Sequence, residues 1–147
     1  MGQARQGHVE DVGVTAVWDR LRNDPGSVLI DVRTRAEWAF VGIPDLTGAN
    51  KQPVLVEFQT FPDNREDTRF GERLIASLKE MGTQTDAELF FICRSGSRSK
   101  RAAQAMIAAG YPHCRNVADG FEGPLDPMHH RGRVGGWKAA GLPWSQG

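Results

Sequence analysis

Leu89-Phe-Phe-Ile-Cys-Arg-Ser-Gly-Ser-Arg98 carries the decision about this chain. Its first four residues are uninterrupted apolar, and an alanine-rich stretch from Ser97 to Ala109, closed by Gly110 and Pro112, follows it. A short apolar run bounded by small polar residues fits a strand buried on both faces, and the alanine-rich stretch fits a helix. The expected arrangement is strand, tight loop, helix, with Cys93 where the strand stops. Gly96 permits the tight curl.

At such a junction successive backbone N–H groups converge on whatever occupies the cysteine sulfur. Arg94, Arg98, Lys100 and Arg101 add local positive charge, which with the helix dipole favours thiolate over thiol at Cys93. The competing reading makes Cys93 a small buried hydrophobe and the arginines a solvated helix face. The reactive reading requires a sulfur that ionises and is not sealed in the interior.

Working outward, Val14, Val17, Trp18 and Leu21 fall at i, i+3, i+4 and i+7, the stripe of an amphipathic helix that Asn23-Asp-Pro-Gly26 ends. Val28-Leu-Ile-Asp31 suits a buried parallel strand with a carboxylate at its carboxyl end. Arg35 to Val41 predicts a brief helix carrying Trp38 inward, broken by Gly42-Ile-Pro-Asp45, and Val54-Leu-Val-Glu-Phe58 predicts another strand. Phe70, Leu74, Ile75, Leu78 and Met81 mark a helix between about Asp67 and Met81, with Gly82 as its cap. A strand around Arg115 to Val117 and a short terminal helix near Trp137 to Ala140 complete an alternating pattern. The expectation is one α/β domain over residues 1–147, a mostly parallel sheet flanked by helices.

Eighteen basic residues balance eighteen acidic ones, so no global field draws the chain to nucleic acid or anionic lipid. Met1 to His8 lacks the apolar core of a signal peptide and no stretch is long enough to span a bilayer, which predicts a cytoplasmic location. Two cysteines, Cys93 and Cys114, with no Cys-x-x-Cys pair point to neither a disulfide framework nor a cysteine zinc site.

The sequence resembles the rhodanese, or thiosulfate sulfurtransferase, family. The resemblance rests on Leu29-Ile-Asp-Val-Arg-Thr34 followed by Glu37-Trp38, on Cys93-Arg-Ser-Gly-Ser-Arg98, on Asn116-Val-Ala-Asp-Gly-Phe-Glu-Gly123 and on Gly136-Trp-Lys-Ala-Ala-Gly-Leu-Pro143. It implies about five strands and makes Cys93 the carrier of a persulfide, taken from a small anionic donor such as thiosulfate and passed to a thiol, cyanide or protein acceptor. It further implies that the loop Arg94, Ser95, Gly96, Ser97 and Arg98 binds the donor, that Asp31 supports the loop, and that neither metal nor organic cofactor takes part. Ile43-Pro-Asp-Leu-Thr-Gly-Ala49 is longer than the Ile-Pro-Gly-Ala usual in the family, and Ser97 stands where related loops often carry an amide side chain.

Two other functions stay open. Phosphatases of related fold place five residues between cysteine and arginine, enough to wrap a phosphate, whereas four, Arg94 to Ser97, lie between Cys93 and Arg98. A smaller ring suits a single sulfur and disfavours phosphatase or arsenate reductase chemistry. An inactive rhodanese-like module that binds a protein or senses redox state would ordinarily have lost the cysteine.

Cys114 reads either as a resolving thiol for Cys93 or, more simply, as an inert residue beginning a strand. His129 and His130, about 100° apart on a helix, do not share a metal as i, i+4 ligands do. Trp18, Trp38, Trp137 and Trp144 lack the basic interleaving of a base-stacking surface and read as packing residues. Asp119 reads as a helix cap in preference to an acid/base partner of Glu122.

Overall fold

A computed structural model describes residues 8–60 and 63–146. Most of the opening stretch in which no signal peptide was expected, Met1 to Gly7, lies outside them. In chain order the elements are β1 (Glu10–Val12), α1 (Val14–Asn23), β2 (Val28–Asp31), α2 (Arg35–Phe40), β3 (Ile43–Pro44), β4 (Val54–Leu55), β5 (Gln59–Thr60), β6 (Arg65–Glu66), α3 (Phe70–Glu80), β7 (Leu89–Ile92), α4 (Ser97–Ala108), β8 (Cys114–Val117) and β9 (Trp144–Ser145). Strands β1-β8-β7-β2-β4 form a five-stranded sheet in which every pairing is parallel. No described helix is long and apolar enough to cross a membrane.

The apolar runs at β2 and β7 have the reason expected of them. Every residue of both is buried, because helices cover the sheet on each side. Residues alternate between two cores: Leu89, Phe91 and Cys93 pack with Leu74 and Leu78 of α3 and Ala102, Ala103 and Met106 of α4, whereas Phe90 and Ile92 pack with Val17 and Leu21 of α1 and with Phe121 and Trp137. Each fully buried Leu, Ile or Phe contributes roughly 1.5–3 kcal/mol, so the central strands anchor the sheet. The period of two sends the Cys93 side chain to the α4 side.

Several expectations need correction. The strand expected over Val54 to Phe58 keeps only Val54–Leu55 in the ladder, because its neighbour β2 ends at Asp31. The Val56 and Phe58 amides still reach Asp31 O and Val32 O at 3.1 and 3.2 Å. The terminal helix expected near Trp137 to Ala140 is replaced by a hydrogen-bonded turn, with Ala140 N–H donating to Gly136 O at 3.0 Å and Gly141 following at φ +75°. Asp119 caps no helix: it sits in a turn at φ +66°. Trp38 is only half-buried and α2 contains no buried residue. Among the other tryptophans Trp137 is fully buried, Trp18 is half-buried, and Trp144 is 41% exposed on β9. Strand β1, too short to show a period, was not anticipated.

Candidate active site

The parallel sheet brings the carboxyl ends of β2 and β7 side by side, with Asp31 registered against Ile92, so Asp31 and Cys93 arrive at the same edge. In open α/β sheets that edge is where ligands bind. Gly96 takes φ +117° and serves as the N-terminal boundary of α4. The resulting curl returns the Gly96 amide to Cys93, donating to Sγ at 3.1 Å. The Ser99 hydroxyl, from the first turn of α4, also lies 3.1 Å from Sγ.

Cys93 itself is only 1% exposed. Its cover is thin on one side, because Gly96, whose amide touches the sulfur, is partly exposed and Arg94, Ser95 and Ser97 are exposed. Beside the loop lies an open groove of about 780 Å³ whose walls include Arg94, Ser97 and Arg98 of the loop, Glu37 and Phe40 of α2, and Arg131. Cys93 does not line it, so sulfur chemistry requires the loop to move.

The two loop arginines differ. Arg94 is exposed and has no ion pair among the described residues. Arg98 forms a two-pronged pair with Glu37, Nη1 to Oε1 at 2.8 Å and Nη2 to Oε2 at 3.0 Å. Burial alone would push the Glu37 carboxyl up, but the hydrogen bonds from Arg98 and the Thr34 amide and the charges of Arg98 and Arg33 hold it down at about 2. Burial works against the charge on Arg98 too, and Glu37 outweighs it, raising the guanidinium above its ordinary value. Glu37 also closes a capping box with Thr34 at the start of α2.

Asp31 is fully buried, and its carboxylate accepts the Arg33 backbone N–H at 3.1 Å and the Arg33 Nε and Nη2 at 2.9 and 2.7 Å. These bonds stop short of the loop. The link runs through Arg33, whose guanidinium lies 4.2 Å from the Phe121 ring centroid, while the Phe121 amide donates to Cys93 O at 2.8 Å. The Glu122 and Gly123 amides clamp Arg94 O at 3.0 and 3.1 Å.

Seven contributors were not singled out from sequence as site residues. Glu37 and Arg33 sit inside a family-like motif without a role of their own. Gly120, Phe121 and Asn116 sit in another, and Ser99 stands just past the loop. Asp11 on β1 gave no signal, being far from the loop in sequence. It reaches the site because its carboxylate accepts Asn116 Nδ2 at 2.9 Å, and this bond, with help from Lys100 and against burial, lowers its pKa. Cys114 begins β8 and donates to Tyr111 O at 3.1 Å, and burial pushes its thiol up to about 12. Among the described residues no cluster of His, Cys, Asp or Glu could hold a metal ion.

A five-stranded parallel sheet with a cysteine loop at its carboxyl edge, read with its relatives, defines a rhodanese-like domain. The chain belongs to the family described as the STR4 middle domain, whose model matches residues 10–147. It is similar to the crystal structure of Rv0390 from M. tuberculosis, at 41% identity and TM-score 0.82 over 95% of this chain and 99% of that one. A protein of Rickettsia conorii is 36% identical over 136 residues, 92% of this chain and 97% of that protein. The chloroplastic protein THYLAKOID RHODANESE-LIKE of Oryza sativa subsp. indica is 27% identical over 134 residues, covering 91% of this chain and 25% of that protein.

Proposed function

We propose that this protein is a sulfurtransferase that carries sulfane sulfur on Cys93. The observation that supports it most is the contact at Sγ, where the Gly96 amide donates at 3.1 Å and the Ser99 hydroxyl oxygen lies at the same distance. An amide so placed stabilises a thiolate or a terminal persulfide anion where charge would otherwise be unsolvated.

The thiolate attacks the outer sulfur of thiosulfate, the sulfur–sulfur bond breaks, and sulfite leaves with the electron pair. An acceptor such as cyanide or a thiolate then attacks the outer sulfur of the persulfide, and Cys93 departs as thiolate. Arg94, exposed and without an ion pair among the described residues, offers its charge to the donor. Arg98 meets it with its charge already matched by Glu37, so the groove binds a dianion less strongly than two free arginines would.

A second reading, a rhodanese-like module that binds or senses without turnover, draws support from the 1% exposure of Cys93 and the Glu37–Arg98 pair. Phosphatase chemistry is disfavoured by the same pair, which sets a carboxylate against the arginine a phosphate would need. Intact mass after incubation with thiosulfate decides. A gain of one sulfur atom, lost in Cys93→Ser, supports transfer; no gain in either protein removes it and leaves the binding module.

A further inference from the structure

Ser99 is fully buried, and its Oγ lies 3.1 Å from Cys93 Sγ and 2.5 Å from Asn116 Oδ1. A hydroxyl carries one proton and donates to one of them at a time. Asn116, itself 4% exposed, has its orientation fixed: its Nδ2 donates to Asp11 Oδ1 at 2.9 Å, and a carboxylate only accepts, so Oδ1 is turned toward Ser99. Asp11 is tied in turn to Lys100 Nζ at 3.3 Å.

With Cys93 protonated, all groups are satisfied: the thiol donates to Ser99 Oγ, Ser99 donates to Asn116, and Asn116 donates to Asp11. When the thiol proton leaves to solvent, Sγ calls for the Ser99 proton, and turning it deprives Asn116 Oδ1 of its donor. Asp11 prevents the amide from flipping to compensate. We infer that Asn116, held by Asp11, is a positioning residue that competes with Cys93 for the Ser99 proton and so restrains ionisation of the sulfur in the resting protein.

The charged groups facing this network come from every element around it. Arg98 of α4 faces Cys93 and is paired with Glu37 of α2; the Asp31–Arg33 pair lies at the end of β2; Asp11 of β1 is paired with Lys100 of α4. Among them Asp11 alone orients the Asn116 amide, and it is exposed, so it is the residue to change. In Asp11→Asn the Asn116 amide is free to rotate, offer Nδ2 to Ser99 Oγ, and release the hydroxyl proton to Sγ.

Titrating the thiolate by its ultraviolet absorbance, with Cys114 silent because burial pushes it up to about 12, tests this without requiring sulfur transfer. Failure here therefore leaves the sulfurtransferase reading to its own mass experiment. The Cys93 midpoint is expected to fall by about one pH unit in Asp11→Asn, the size of one hydrogen bond to a charged group. Because removing a carboxylate also favours the thiolate through space, two controls separate the causes. A hydrogen-bond effect disappears in the Ser99→Ala background and is absent from Glu10→Gln, which removes a neighbouring carboxylate of β1, paired with Arg115, without touching the Asn116 amide. An unchanged or raised midpoint in Asp11→Asn overturns the inference, as does a fall that survives in Ser99→Ala or is matched in Glu10→Gln. If Ser99→Ala does not fold, the Glu10→Gln comparison alone decides.

Discussion

Gly120 adopts φ +64°, and a Cβ added there would lie 2.5 Å from Cys93 O and 2.6 Å from Arg94 O. Both obstacles are backbone of the reactive loop, so a side chain at this position moves the loop itself. Gly82 takes a similar φ of +78° but has open space around it, which separates conformational strain from collision. Gly82→Ala is expected to cost on the order of 1 kcal/mol and to leave sulfur uptake intact, because only the left-handed backbone is strained. Gly120→Ala adds displacement of the Cys93 and Arg94 carbonyls and is expected to cost on the order of 2–3 kcal/mol and to suppress uptake from thiosulfate. Urea midpoints and intact mass on the two variants check this; equal uptake in both would mean that the clamp does not shape the loop.

At the scale of elements, helix α2 is short, without a buried residue, and held by its capping box and by the Glu37–Arg98 pair. The Glu37 carboxyl, at about 2 in the folded protein against an ordinary 4.5, binds its proton less readily folded than unfolded. Its contribution is therefore complete above about pH 4.5 and is lost as the pH falls toward 2. The stability advantage of the wild type over Glu37→Gln is expected to shrink across that window and vanish below it, as thermal melts of both proteins from pH 6 to pH 2 will record. A pH-independent difference would assign Glu37 a purely steric role. This element also marks where legibility ends. The spacing of Val14, Val17, Trp18 and Leu21, the apolar runs of β2 and β7, and the Gly82 cap were readable because burial imposes a period or a composition on one continuous segment. The Cys93 loop was readable because chemistry and a strand-to-helix turn coincide there. The partnership of Glu37 with Arg98, the tie from Asp11 to Asn116, and the two-residue extent of β4 depend on which segments become neighbours. No local pattern records that.

The whole molecule closes on the site from its far end. Trp137 is fully buried in the core beneath α1, edge-on to Trp18 with ring centroids 5.9 Å apart. Its amide donates to Gly120 O at 2.8 Å, and the Lys138 amide donates to Phe121 O at 3.1 Å. The clamp that grips Cys93 and Arg94 is thus itself gripped by the last segment of the chain. Trp137→Ala is expected to cost about 3–5 kcal/mol, the range for truncating a buried Trp. Leu78→Ala, in the opposite core, is expected to cost about 2–5 kcal/mol. The two should differ in where they loosen the protein, since sub-global opening follows local contacts. Alkylation with iodoacetamide in urea well below each midpoint, followed by peptide mapping, reads this: relative to the wild type, Trp137→Ala should raise labelling of Cys93 more than that of Cys114, whereas Leu78→Ala should raise both by similar factors. An equal rise at the two cysteines in Trp137→Ala would mean that Trp137 acts only through opening of the entire domain, and that this segment stabilises the fold without controlling access to the sulfur.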